Sequence, residues 1–280
     1  MFPDLGTQYE FIKTLGSGGT AKVHLALDKH SGFLVAIKTL FKDHLKDKET
    51  LEKFKSEANI YLMLDHPNIV SLKDFIIKKD SIHLVQEYVD GQTLEEYIQE
   101  VTGPIPSEVS IDIIKDIISA ISHAHNKNIP LPGYNGILHL DLKPSNVMIS
   151  KSRSVKIIDY GISQGNDQNR GLQKMGTPMY MAPEQLNISK RLDIRTDIYA
   201  LGVLLHEMVT GSKPYSVSNK TTNKEMGDLV NNTPLLRTEE LYPGVDRRFQ
   251  QIIDKATNKN PDKRHQSCQQ LFAAIEGLEV

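Results

Sequence analysis

Lys38 ends the run Val35-Ala36-Ile37-Lys38, where the period of two along a strand puts Ala36 and Lys38 on one face. Its ammonium can hold phosphate oxygens, and the small Ala36 leaves room beside it for a flat ring. The bland alternative is a lysine snorkelling out of an edge strand. Glu57 argues against that, because helical spacing puts this carboxylate on an inward stripe beside Ala58 and Phe54, where an unpaired charge is costly. Lys38 is its natural partner. Upstream, Gly16-Ser17-Gly18-Gly19-Thr20-Ala21-Lys22-Val23 is a glycine-rich turn whose backbone N–H groups can approach a phosphate. Ala21 stands where a third glycine would, and no helix follows, so the turn does not read as a Rossmann motif.

A second polar cluster lies in ILHLDLKPSNVMI, residues 137–149, which carries His139, Asp141, Lys143 and Asn146 in an otherwise apolar run. The alternation through Lys143 predicts a strand, and Pro144, which cannot donate to a ladder, predicts that the strand ends in a loop. Taken alone, the segment reads equally well as a solvated edge strand.

The elements that must position these groups follow from the hydrophobic pattern. Strands are expected at 9–16, 22–32 and 33–40, separated by glycine-containing turns, then a helix over Lys46–Leu64 with Leu51, Phe54, Ala58 and Tyr61 as its stripe. Two more strands are expected at 69–76 and 81–89. Beyond Gly91 the pattern is mostly helical: Leu94–Gln99, Ser107–Asn126, Asp197–Val209, Asp246–Asn258 and Ser267–Ile275. A strand-rich front and a helix-rich back, joined near Gln86–Gly91, predict two lobes with a cleft.

Bulk properties narrow the function classes. The chain has 280 residues, 24% charged and 39% hydrophobic, with a formal charge of -2, which is the composition of an ordinary globular protein and carries no basic excess for nucleic acid or an anionic membrane. Cys268 is the single cysteine, which excludes an intrachain disulfide, leaves nothing for a thiolate zinc cluster and fits a reducing compartment. The N-terminus has no basic start followed by an apolar stretch, and the longest apolar run, around Ile198–Leu205, is too short to span a bilayer. A soluble, cytoplasmic chain is expected.

The ordered set Gly16-x-Gly18-x-x-Ala21-x-Val23, Val35-Ala36-Ile37-Lys38, Glu57, His139-Leu140-Asp141-Leu142-Lys143-Pro144-Ser145-Asn146, Asp159-Tyr160-Gly161 and Ala182-Pro183-Glu184 resembles the protein kinase signature over essentially the whole chain. Lys143 after Asp141, and Gly176-Thr177 before Ala182, resemble the serine/threonine branch. Asp197-Ile-Tyr-Ala-Leu-Gly202 resembles bacterial members. The resemblance implies an α+β, two-lobed protein-kinase-like fold: a small antiparallel-sheet lobe with one long helix, and a larger, mainly helical lobe. Residues 1–88 would form the N-terminal nucleotide-binding lobe, and residues 89–280 the C-terminal helical lobe for catalysis and substrate binding.

It also implies site roles and partners. Asp141 would accept the proton of a substrate hydroxyl, Lys143 would neutralise the transferring phosphoryl group, and Asn146 and Asp159 would hold Mg2+. Lys38, fixed by Glu57, would grip the α- and β-phosphates of ATP. Leu15, Gly16, Ser17, Gly18, Gly19, Thr20 and Ala21 would cover the nucleotide, Val23, Ala36 and Met148 would sandwich its ring, and backbone groups of Glu87 and Val89 would meet adenine, with Gln86 limiting access behind. Tyr61, Leu72, His139 and Tyr160 would stack as one column, Arg264 would pair with Glu184, and Asp197 would brace the catalytic loop. The partner would be a protein substrate with a serine or threonine acceptor. Neither nucleic acid nor a membrane is expected for this chain, and self-association for autophosphorylation is left open.

Three departures from the pattern stand out. Leu140 occupies a position that is Arg in many kinases, and an apolar side chain cannot pair with a phosphorylated residue. Between Gln164 and Gly176 the sequence GNDQNRGLQKM has no Ser, Thr or Tyr, leaving Ser163, Thr177 and Tyr180 as acceptors, so competence without phosphorylation of that loop is expected. NKNIPLPGYNG, residues 126–136, is an insertion with the prolines and glycines of a surface loop. His123 and His125 point in different directions from a helix and make a poor metal pair, while His24, His66 and His206 read as packing or surface residues. Other readings are a pseudokinase acting as a nucleotide-sensing scaffold, against which Lys38, Asp141 and Asp159 are all present, and a small-molecule kinase, against which Gly176-Thr177 and Ala182-Pro183-Glu184 speak.

Overall fold

The first forty residues form a meander because apolar alternation is interrupted by residues that turn the chain. In β1 (Tyr9–Ser17) and β2 (Ala21–Asp28) the pairing brings Gly16 opposite Val23, and the hairpin closes through Gly18 N donating to Ala21 O at 2.8 Å. β2 stops at Asp28, four residues short of expectation, because the Asp28 carboxylate accepts from His30 N and Ser31 Oγ, and Gly32 then takes φ 75°. β3 (Leu34–Leu40) follows. The structure, a computed structural model, describes residues 5–100, 103–127, 136–160, 178–187, 190–218 and 221–278.

The chain divides into two compact units, Met1–Asp90 with Tyr160–Ile162 and Gly91–Asp159 with Ser163–Val280. In the first, β4 (Leu72–Lys78) and β5 (Ser81–Glu87) complete a five-stranded antiparallel sheet in the order β1-β2-β3-β5-β4. The long helix α1 (Lys48–Met63) begins at its cap Asp47, whose side chain accepts from Glu49 N, two residues after the expected start at Lys46, which instead ends a short 3-10 turn, Lys42–Lys46. The sheet buries both faces. Tyr9, Ala26, Val35, Ile37 and Val85 pack on one, and α1 lays Phe54 and Ala58 over Ala21, Leu40, Ile82 and Leu84 on the other. Ile69 and Val70, expected in a strand, are buried but precede β4, because Ile69 N turns back to His66 O.

The second unit is mainly helical: α2 (Leu94–Glu100), α3 (Ser107–His125), α4 (Ile194–Thr210), α5 (Asn223–Asn232), α6 (Thr238–Leu241), α7 (Arg247–Ala256) and α8 (Cys268–Glu276). Together the two units are the α+β architecture expected. α4 is buried nearly throughout, capped at its start by the reciprocal Asp193–Thr196 pair and ended by Gly211 in the left-handed conformation. Its cap is why it begins before Asp197. Two helices and one sheet escaped the pattern reading. α5 and α6 are among them, although Thr222 and Glu225 form a legible capping box. The other is a three-stranded sheet of β6 (Gly91–Thr93), β7 (Val147–Ser150) and β8 (Val155–Ile157) in the order β6-β7-β8. No helix among the described residues is long and apolar enough to cross a membrane.

Candidate active site

In the first unit the sheet register gathers the candidate residues around Lys38. Val23 pairs with Lys38, Leu25 with Ala36, and Ala36 with Gln86, so Val23, Ala36, Lys38 and Gln86 share one face. That is the face α1 covers in part, and Lys38 Nζ meets the buried Glu57 carboxylate at 2.7 and 2.9 Å. The stripe therefore carries a paired charge, and Lys38 does not snorkel to solvent. Leu15 to Thr20 form the exposed hairpin tip, where a Cβ added at Gly16 or Gly19 would have nothing within 4 Å. Glu87 N donates to Ser71 O at 2.9 Å and its carboxylate accepts from Ser71 N at 3.3 Å, while Val89 is buried after β5. Tyr61 and Tyr160 meet edge to face, centroids 5.9 Å apart. Leu72 lies at the start of β4 in the same unit, and His139 belongs to the other.

In the second unit the expectation for residues 137–149 needs correcting. The segment runs as loop first and strand second: Ile137–Lys143 is irregular, Pro144–Asn146 is a 3-10 turn, and β7 starts at Val147. It is no edge strand. Leu140 has φ 65°, which breaks an extended run, and the N–H groups of His139 and Leu140 go to the Asp197 carboxylate, both at 2.8 Å, instead of to a ladder. Asp197 thus braces this loop as expected.

The loop gathers the polar groups. Asp141 Oδ2 accepts from Lys143 Nζ at 2.8 Å and from Asn146 Nδ2 at 3.1 Å, and Asn146 Nδ2 also donates to Asp141 O at 2.9 Å. Ile158 N donates to Asn146 O at 3.0 Å, which sets the half-buried Asp159 one residue beyond Asn146's backbone partner. Met148 lies on β7 opposite Thr93. Burial holds the His139 imidazole pKa below its ordinary value despite the nearby carboxylates of Asp197, Asp141 and Asp159. Burial alone would raise the Asp197 pKa, but hydrogen bonds from His125 and the Leu140 N–H outweigh it and keep it low.

Glu184 and Arg264 form the expected pair, Arg264 Nη1 and Nη2 donating to the two carboxylate oxygens at 2.6 and 2.8 Å, fully buried. His125, read from sequence only as a poor metal ligand, sits with Nε2 2.8 Å from Asp197 Oδ2 and Nδ1 3.5 Å from the buried Cys268 Sγ. Gln185, which carried no sequence signal, donates from Nε2 to Leu140 O at 2.8 Å. His206 is buried with Nε2 on Leu236 O, whereas His66, which takes Asn68 N, and His24, beside Thr14, are only half-buried. Of the insertion, residues 128–135 lie outside the described part, but its base is closed: Ile137 N returns to Ala124 O at 2.9 Å, and Gly136 has φ 89°. Gly161, Ser163, the 164–176 stretch and Thr177 also lie outside the described residues.

The family model described as the protein kinase domain matches residues 9–274. The chain belongs to the protein kinase family. Among curated proteins similar to this kinase domain, the serine/threonine-protein kinase PrkC of Bacillus subtilis strain 168 is 34% identical over 272 residues, covering 96% of this chain and 40% of that protein. The serine/threonine-protein kinase PknB of Mycobacterium leprae strain TN is 32% identical over 281 residues, covering 98% and 43%. That of Mycolicibacterium smegmatis is 33% identical over 283 residues, covering 97% and 43%. The domain therefore spans about two fifths of the length of the curated relatives it matches.

The donor chemistry fits a magnesium nucleotide. With Asn146 Nδ2 committed to Asp141, its carboxamide oxygen is the atom turned to other uses, and one amide oxygen with the Asp159 carboxylate is a hard-oxygen pair of the kind Mg2+ takes alongside phosphates. Among the described residues no group of three or more His, Cys, Asp or Glu is placed to hold a metal without such phosphates. Buried Gln86 Nε2 has no hydrogen-bond partner among the described residues and lies on the Ala36 face, as a site for a ring with acceptor atoms requires.

Proposed function

We propose that this chain transfers the γ-phosphoryl group of ATP to serine and threonine hydroxyls of protein substrates. The observation that carries the reading is the dressing of Asp141: both Lys143 and Asn146 donate to Oδ2, which leaves Oδ1 as the oxygen offered to a substrate hydroxyl. Asp141 takes the hydroxyl proton as the oxygen–phosphorus bond forms, and ADP departs with the bridging oxygen of the bond that breaks. Lys143, already held at the same carboxylate, balances negative charge on the group in transit. Lys38, oriented by Glu57, grips the α- and β-phosphates, and Asn146 and Asp159 would hold Mg2+ through their oxygens. When bound, Mg2+ neutralises phosphate charge. The glycine turn from Leu15 to Ala21 covers the phosphates through backbone N–H groups, Val23, Ala36 and Met148 hold the ring, and the Glu87 carbonyl and Val89 N–H meet adenine.

The domain works without phosphorylation between Asp159 and Glu184, where the 164–176 stretch has no acceptor and only Ser163, Thr177 and Tyr180 remain, and Leu140 has no charge with which to read a phosphate. It acts on proteins of the cytoplasm and phosphorylates copies of itself.

Asp141→Asn tests the reading. Label transfer from γ-labelled ATP to dephosphorylated casein should vanish while nucleotide binding persists, and retained transfer would refute it. Mixing active chains with Asp141→Asn chains shows whether one copy modifies another. Activity lost to a phosphatase and regained with a phosphate mapped between Asp159 and Glu184 would refute independence from loop phosphorylation.

A further inference from the structure

Gln185 follows Glu184 in the 3-10 turn Pro183–Leu186, is buried, and uses both ends of its amide: Oε1 accepts from Ala182 N at 2.9 Å, and Nε2 donates to Leu140 O at 2.8 Å. Leu140 is buried and has φ 65°, a left-handed conformation that a leucine keeps only where its surroundings hold it. Both polar groups of its backbone are held by side chains, the N–H by Asp197 Oδ1 at 2.8 Å and the carbonyl by Gln185. The carbonyl is the informative one. It lies in the rigid peptide plane joining Leu140 to Asp141, so its direction fixes where the Asp141 side chain leaves the backbone.

The geometry points to Gln185 as a positioning residue for Asp141, tying the Pro183–Leu186 turn to the catalytic loop through a neutral hydrogen bond. An arginine at position 140 would reach a phosphorylated segment with its side chain. Leu140 has no such group, and here the backbone of the same residue is held instead. This rests on the reading of Asp141 as the proton acceptor. Because Nε2 is the donor to Leu140 and Oε1 serves Ala182, the two halves of the amide can be tested apart.

Gln185→Glu keeps the length and the acceptor for Ala182 N but sets an oxygen against Leu140 O. Gln185→Leu keeps the bulk and removes both bonds. The full chain is assayed with MgATP and dephosphorylated casein, with Asp141→Asn alongside. Misaligning a reacting group by a fraction of an ångström is expected to lower kcat about tenfold in both variants, with KM for ATP and casein within about twofold of the unaltered chain. A lowered unfolding temperature with kcat intact marks a structural role only and overturns the inference. If Asp141→Asn is silent and Gln185→Glu keeps full kcat, the role of Gln185 falls alone; if Asp141→Asn still transfers phosphate, both readings fall. Should neither variant fold, hydrogen exchange of the Gln185 side-chain amide in the unaltered protein decides: protection supports the bond to Leu140, and exchange at the rate of free glutamine overturns it.

Discussion

Asp197 Oδ1 lies 2.8 Å from Leu140 N across 57 residues of sequence, and the same carboxylate takes His139 N and His125 Nε2 at Oδ2. A buried aspartate on α4 thus replaces the ladder that the apolar alternation of residues 137–143 suggests. An asparagine there has one oxygen to accept with, and its NH2 would face a backbone donor. Asp197→Asn should therefore lower the unfolding free energy by about 3 kcal/mol, the scale of a broken buried charged network. Urea unfolding measures it, and a loss under about 0.5 kcal/mol would mean that the loop holds its shape without these bonds.

The Lys38–Glu57 pair makes a prediction of order. Lys38→Met removes the cation proposed to meet phosphate, whereas Glu57→Gln keeps a hydrogen-bonding partner of the same shape and costs only orientation. Titration calorimetry with MgATP should show the larger loss for Lys38→Met, about a hundredfold in affinity, and about tenfold or less for Glu57→Gln. The reverse order would assign Lys38 a structural role.

Those two residues were legible because strand and helix periods fix faces: Ala36 and Lys38 alternate with Val35 and Ile37, and Glu57 rides the stripe of Phe54 and Ala58. Residues 137–149 misled because alternation reports burial and not hydrogen bonding, and the partner of the Leu140 amide is an aspartate far along the chain. Nothing local encodes a positive φ at a leucine. Gln185 was silent for the same reason, since its donor acts on a carbonyl distant in sequence and a glutamine after Glu184 looks like any surface residue. The Asp193–Thr196 and Thr222–Glu225 caps were readable, and overlooking the second lost α5.

The Glu184–Arg264 pair gives a double-mutant cycle. Arg264→Met strands a buried carboxylate that, among the described residues, keeps only Thr196 Oγ1 at 3.1 Å, so a loss of about 3–5 kcal/mol is expected. Adding Glu184→Leu removes the stranded charge and should recover most of it. Recovery stays incomplete, because Arg264 also donates to the Asn258 and Arg195 carbonyls at 2.7 and 2.8 Å, which neither substitution replaces. Equal losses in the single and double variants would mean that those carbonyl bonds dominate.

Acid sensitivity follows from histidines buried as neutral rings. Burial pushes the His265 pKa down to about 4, with Lys255 adding to it, and holds His139 and His206 below their ordinary values as well. In the unfolded chain these rings protonate near their ordinary value of about 6.5, so below about 6.5, and for His265 down to about 4, the unfolded state binds more protons than the folded one. Stability is therefore fully present above that window and falls as pH drops through it, each ring adding a slope of up to about 1.4 kcal/mol per pH unit. Asp197, held low, contributes its loss only at still lower pH, below the ordinary aspartate value. Urea midpoints should fall from pH 7 to pH 5, and His265→Gln should flatten the fall. A midpoint independent of pH over that span would show that the buried rings protonate in the folded protein as readily as in water.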